Sequence, residues 1–277
     1  MIAGYPTMGE SEKVAAALAK GGADIIELQI PFSDPMADGP AIAVASDEAI
    51  KAGATVASSL ALLKKITAFG EIDEKAPDAR RGESGGQDVS GIRRGQHRGP
   101  ATKQVDFFIN FSKPVAVMTY VNIPFRYGIP KFVKRIAKAG ASALIVPDCP
   151  FDTEEGRELL TACKENNVYL IPVVSPGVPR ERLAQLARDA SGFVYCTSRQ
   201  GITGANSKFA KELFDFVKEL KDIFTLPIAV GFGVKSKDDV AELKKVADIV
   251  IAGSVFVNVI KTSGVESVER RLRELVS

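Results

Sequence analysis

Histidine is almost absent from this sequence: His97 is the single one in 277 residues. That excludes most histidine-based metal sites and a Ser-His-Asp triad. Cysteine is scarce too. Cys149, Cys163 and Cys196 follow no metal-ligand spacing, and a sparse, odd count suits structural thiols in a reducing cytoplasm. Neither sign of charge dominates: 36 Lys and Arg face 34 Asp and Glu, a formal net charge of +2. No broad electrostatic footprint for nucleic acid follows. No apolar run approaches the ~20 residues of a membrane span, and no secretory leader pattern precedes the first strand-like residues. The Gly-rich dinucleotide fingerprint is missing as well, since "AGYPTMGE" does not fit G-x-G-x-x-G.

What remains is ordinary globular composition, 45% hydrophobic and 25% charged. Short apolar runs alternate with amphipathic stretches. The strand-like runs are Ile25–Gln29, Val115–Met118, Ala143–Val146, Tyr169–Val173, Phe193–Cys196, Ile228–Val230 and Ile249–Ala252, with "MIA" at the start as a clipped eighth. They are nearly all apolar, as parallel strands covered on both faces should be. Between them lie segments with apolar positions three and four apart, such as "SEKVAAALAKGG" and "IPKFVKRIAKAG". "DEAIKAGATVASSLALLKKI" reads as one helix with Gly53 as a weak point. Strand–helix alternation repeated eight times predicts an α/β (β/α)8 TIM barrel, N-terminally clipped, over residues 1–277. A doubly wound open sheet is the alternative.

One segment breaks the rhythm. From about Phe69 to Gln104 the chain is rich in Gly, Arg and acidic residues and nearly devoid of large apolar side chains. Such composition does not bury enough surface to offset its ordering entropy, and structureless connections rarely exceed ~12–15 residues. Residues 70–104 are therefore expected to be a disordered insertion between the second helix and the third strand.

In such a barrel the reacting groups sit at the C-terminal ends of the strands. Three stretches put polar residues there. Glu27 lies within a strand and shares a face with Gln29, while Ile26 and Leu28 share the other. A carboxylate pointing into a barrel is costly unless paired or carrying a raised pKa. Asp38 follows in the loop "IPFSDPMADGP", and paired carboxylates in unlike environments can divide acid and base roles. A purely structural glutamate fits the same pattern. Second, Gly231 to Gly233 end one strand, while Gly253 and Ser254 end the next and open the short helix "VFVNVIK". Backbone N–H groups at such ends suit phosphate; plain turn glycines are the other reading. Third, "YCTSRQGITGA" leaves a strand with Tyr195, Arg199 and Thr203. It is either a lid that excludes water or an ordinary connection.

Taken together, "ADIIELQIPFSDPMADGP", "MTYVNIPFRYGI", "LIVPDCP", "SRQGITGA", "GFGVKS" and "VIAGSVFV" closely resemble, in order, the tryptophan synthase alpha subunit family. The resemblance runs from about Gly4 to Lys261 outside the insertion. It implies a lyase that cleaves indole-3-glycerol phosphate to indole and glyceraldehyde 3-phosphate, with no metal or organic cofactor. It also implies a cytoplasmic location and an alpha2-beta2 assembly with a beta subunit. By the same resemblance Glu27 and Asp38 are catalytic, with Tyr195 beside the glutamate. Tyr120, Thr203, Gly204, Phe232, Gly233, Gly253 and Ser254 bind substrate, Thr203 as the lid threonine. Asp34, Pro35 and Asn122 face the beta subunit.

The sequence departs from the family pattern in three places. It starts about where the family's first strand starts, which predicts unpaired edges and lower stability. Gln29 replaces a usual glycine and is expected to crowd the site or to hydrogen-bond Glu27. The 70–104 insertion replaces a short connection on the side away from the catalytic mouth. A catalytically weak barrel retained as an allosteric partner, and a barrel acting on another phosphate ester, are the competing readings.

Overall fold

The computed structural model describes residues 1–67, 113–197, 207–231 and 233–277, with the side chains of residues 207–210 excepted. The insertion at 70–104 lies outside the described residues.

Chain order begins with helix α1 (Met8–Gly21), strand β1 (Ile26–Gln29) and helices α2 (Pro40–Lys51) and α3 (Val56–Thr67). After the insertion come β2 (Val115–Met118), α4 (Asn122–Tyr127), α5 (Ile129–Lys138), β3 (Ala143–Ile145) and α6 (Glu154–Glu165). Next are β4 (Tyr169–Ile171), β5 (Val173–Val174), α7 (Arg180–Asp189), β6 (Val194–Thr197) and α8 (Ser207–Ile223). The last are β7 (Ile228–Gly231), α9 (Lys237–Leu243), β8 (Ile249–Ile251), α10 (Ser254–Ser263) and α11 (Val268–Val276).

All strand pairs are parallel and each joins neighbours in sequence: β1 to β4 form one ladder and β5 to β8 the other. The two ladders share one strand. Pro172 separates β4 from β5, and its missing N–H breaks the ladder there. The first half pairs with β3, the second with β6, and Tyr195 N donates to the Pro172 carbonyl at 2.9 Å. The run Tyr169–Val173 is thus one strand with a proline in its middle.

The strand expected from "MIA" is present as a single parallel bridge, Ile2 to Gln29. Gln29 N donates to Met1 O, and Ala3 N to Gln29 O, both at 2.9 Å. No strand ladder joins this stub to β8 among the described residues. Side chains close that seam. Met1 packs against both outer cores, and Ile2 packs with Val257 of α10. On the outside, α1 packs between α11 and α3, which closes the helical ring.

Alternation along the strands sorts the side chains into two layers. Ile26, Leu28, Val115, Val117, Leu144 and Leu170 point outward under α1, α3, α5 and α6, while Val194, Cys196, Ile228 and Val230 do the same under α8 to α11. Ala116, Met118, Ala143, Ile145, Ile171, Phe193 and Ala229 point inward and fill the barrel floor with Ile249 and Ile251. The architecture is the expected (β/α)8 barrel.

The single helix read over Asp47–Ile66 is instead two. Gly53 takes φ +91°, a left-handed conformation that ends α2, and Thr55 opens the next turn by accepting from Ser58 N at 3.1 Å. Glycine is the residue that adopts such a φ without steric cost. The short helix α4, carrying Asn122, was not expected from the pattern.

Candidate active site

Glu27 and Gln29 leave β1 on the inner face, at the strand end where the loop to α2 begins. Glu27 is ringed by protein yet keeps part of its surface toward the cavity. Burial pushes its carboxyl pKa above the ordinary value; the Met1 amino group opposes this, Asp38 adds to it, and the Tyr195 hydroxyl, hydrogen-bonding to it, lowers it again. Tyr195 comes from the inner face of β6. Burial, then the negative charges of Glu27 and Asp38, hold its phenol well above the usual value, so it stays protonated and donating.

The loop after β1 returns Asp38 over the strand end, near enough for its charge to act on Glu27. Ser46 of α2 anchors its start, accepting from Phe32 N at 2.9 Å and donating to Phe32 O at 3.1 Å. Two turns follow, Met36 N to Asp34 O at 2.9 Å and Asp38 N to Pro35 O at 3.0 Å. Asp38 Oδ2 then accepts from Tyr120 Oη at 2.8 Å and from Gln29 Nε2 at 2.6 Å. Burial holds the Asp38 pKa above its ordinary value, and these two hydrogen bonds offset only part of that rise. Tyr120, fully buried beyond β2, stacks on Phe32 with ring centroids 5.1 Å apart.

Gln29 therefore does not bond to Glu27. Its amide reaches past the glutamate to Asp38, because the loop brings that carboxylate directly over the strand end.

The ends of β7 and β8 open at the same mouth, since all the strands are parallel. A Cβ placed on Gly253 would stand 3.6 Å from Ile42 of α2, so this corner adjoins the Asp38 loop. Gly253 is the N-cap of α10 and supplies no side-chain cap; Ser254 is the first helical residue. Gly233 sits at φ +47°, where an L side chain is strained. Asp239 shapes the next turn as the N3 member of a capping box with Ser236, and its carboxylate accepts from Lys235 N and Ser236 N. Thr203, Gly204 and Phe232 lie outside the described residues.

Asp34 is exposed on the loop after β1 and Asn122 is exposed at the start of α4, with Pro35 half-buried. The large apolar side chains Met36 and Phe125 stand beside them, 81% and 61% exposed.

Residue patterns gave one participant the wrong partner and missed another. Gln29 gave no reason to choose Asp38 as its partner. Asp148, in "PDCP" after β3, accepts from Val121 N at 2.9 Å and has its pKa raised by burial. It ties the loop that starts α4 to the β3 end. An acidic residue at a strand end was the available signal.

The chain is similar over nearly all its length to known proteins. A family model described as tryptophan synthase alpha chain matches residues 1–72 and 103–277. The tryptophan synthase alpha chain of Methanosarcina mazei is 36% identical, covering all of this chain and 86% of that one. The one from Desulforapulum autotrophicum is 34% identical, covering 99% and 92%. Among solved structures, Mycobacterium tuberculosis tryptophan synthase superposes with a TM-score of 0.77 at 31% identity, covering 99% of this chain and 88% of that one. The alpha subunit from Campylobacter jejuni gives 0.74 at 33% identity, covering 99% and 93%. With its family model matched on both sides of the insertion and its barrel shared with solved relatives, this chain belongs to the tryptophan synthase alpha chain family.

Proposed function

We propose that the protein cleaves indole-3-glycerol phosphate to indole and glyceraldehyde 3-phosphate. The observation that carries this reading is the approach of Asp38 to Glu27 at the strand ends, close enough for its charge to act on the Glu27 carboxyl. Burial raises the pKa of both carboxyls, but Asp38 also accepts from two side-chain donors that favour its ionised form.

The reaction breaks a carbon–carbon bond in the retro-aldol sense. The protonated Glu27 carboxyl gives its proton to indole C3, leaving positive charge on the indole nitrogen. Asp38, ionised, accepts the indole N–H and stabilises that charge as it grows. Glu27, now a carboxylate, takes the proton of the adjacent hydroxyl. The C–C bond electrons return to the indole ring, and the former carbinol carbon becomes the aldehyde. Tyr195 keeps the Glu27 carboxyl oriented. Tyr120 and Phe232 are assigned to the walls of the substrate pocket.

At the far end, Gly233, Gly253, Ser254 and Gly204 are assigned to the phosphate. The uncapped N-terminus of α10 supports this, because first-turn N–H groups and the helix dipole favour an anion there. Remote binding energy of this kind fixes the reacting carbon against Glu27. Thr203 is assigned to a lid over the pocket.

The partner in this reading is a tryptophan synthase beta subunit, in an alpha2-beta2 assembly. Asp34, Pro35 and Asn122, flanked by exposed Met36 and Phe125, form the face assigned to it. No metal, flavin or nicotinamide takes part in the proposed steps. A biosynthetic enzyme of this kind is assigned to the cytoplasm.

The test is steady-state indole release from indole-3-glycerol phosphate. Glu27→Gln and Asp38→Asn are each expected to lower kcat by ~10²-fold or more. Near-normal turnover in either variant removes that residue from the mechanism.

A further inference from the structure

Asp38 rides on a loop without regular structure, between neighbours that are open to solvent. Its own backbone is held by one turn hydrogen bond, Asp38 N to Pro35 O. The geometry of its carboxylate must therefore come from side chains. Two reach it, and both rise from the barrel floor. β1 and β2 are in register with Gln29 opposite Met118, and Tyr120 lies two residues beyond the end of β2, packed with the same inward side chains. The two donors thus stand at the ends of adjacent strands and converge on one oxygen, Oδ2, from 2.6 Å and 2.8 Å. Among the described residues no hydrogen bond goes to Oδ1.

We propose that Gln29 is a positioning residue for Asp38: with Tyr120 it pins the carboxylate by Oδ2 and leaves Oδ1 to accept the substrate's N–H. This rests on the reading of Asp38 as the group that meets the indole nitrogen.

Three observations support it. Gln29 is 4% exposed, and a buried primary amide is retained where it has a partner. That partner is a carboxylate, and charge-assisted hydrogen bonds are the stronger and more directional class. Without the Gln29 amide, Tyr120 is the lone side-chain donor to Oδ2, and an oxygen held once can swing about that bond. The same bond also favours the ionised form of Asp38 against its burial. Gln29 does not touch the reacting carbons in this scheme and acts only through Asp38.

The experiment measures kcat/KM against pH for indole release from indole-3-glycerol phosphate, using the full chain. Gln29→Leu keeps the volume without the donor. Gln29→Gly removes both and serves as the second variant if Leu disturbs folding. Each is expected to lower kcat/KM at neutral pH by about tenfold, the order of one charge-assisted hydrogen bond. Each should also move the acid limb of the profile to higher pH, since Asp38 loses a bond that favours its ionised state. Repeated on the Asp38→Asn background, either change should cost little more, because the two residues act as one unit.

An unmoved acid limb in both variants, or equal losses on the two backgrounds, overturns the positioning role while leaving Asp38's own role standing. Near-normal turnover by Asp38→Asn alone instead overturns the reading of Asp38 and the proposal with it.

Discussion

The Tyr120 hydroxyl is shared between Asp38 and the loop that carries it, donating to Asp38 Oδ2 at 2.8 Å and accepting from Ala37 N at 3.2 Å. Burial, with Asp38's charge and its bond adding to it, keeps this phenol protonated far beyond neutral pH. Tyr120→Phe retains the ring that stacks on Phe32 and deletes both bonds. The expected result is a fall in kcat/KM of about ten- to a hundredfold, from loss of a bond to a charged group. Steady-state kinetics beside a thermal melt separate this from simple unfolding. An unchanged kcat/KM with a lowered Tm would make Tyr120 a purely structural member of the loop.

Replacing Glu27 should act in opposite directions on stability and on activity. Its folded pKa is raised, chiefly by burial. The unfolded chain therefore loses this proton at lower pH than the folded one, and stability declines as pH climbs from the unfolded value to the folded one. Glu27→Gln removes that loss. The variant should melt at a higher temperature than the parent at pH 8, with the difference shrinking toward pH 4, while its indole release collapses. A variant less stable than the parent at both pH values would contradict the desolvated, raised-pKa state of this carboxyl.

Ser254 opens α10 where the phosphate is assigned. Ser254→Asp puts a negative charge at a helix N-terminus, which favours the fold by about 0.3–1 kcal/mol. The same charge repels a phosphate. KM for indole-3-glycerol phosphate is expected to rise by roughly tenfold or more, a one-hydrogen-bond scale, with Tm held or slightly raised. A KM within twofold of the parent's argues against phosphate binding at this helix.

Gly156 tests the scaffold rather than the chemistry. It lies in the first turn of α6, where its N–H meets the N-cap Thr153 Oγ1 at 3.0 Å. A Cβ here would stand 2.0 Å from the Pro150 carbonyl oxygen. Backbone has to move to admit it, so Gly156→Ala should destabilise by about 1–3 kcal/mol. Chemical denaturation reads this directly, and an unchanged midpoint would mean the loop after β3 is more pliant than its packing indicates.

The barrel and much of its site were legible in the residues alone. Apolar runs such as Val115–Met118 and Ile228–Val230 locate strands because a parallel strand covered on both faces has no polar position to spare. Glu27, alone among such residues, declares itself by the cost of burying charge. Its inward direction follows from the two-residue period of a strand, with Ile26 and Leu28 committed to the outer core. Local chemistry also carries Gly53, although only the observed φ of +91° turns a weak point into a helix break.

Other features depended on contacts between distant segments. Nothing near Gln29 in sequence distinguishes Glu27 from Asp38 as its partner. The choice was made by the β1–α2 loop folding back over the strand end, anchored through Ser46 on the next helix. Tyr120 joins them from 82 positions away because β2 lies in register beside β1. The seam between the N-terminal bridge and β8 is likewise closed by Ile2 and Val257 packing together, with no ladder there among the described residues. Periodicity and the cost of buried charge act within a few residues of chain, so they write strands and a lone carboxyl into the sequence. Which donor meets which oxygen is a matter of ångströms between segments far apart in the chain, and it exists only once the barrel has closed.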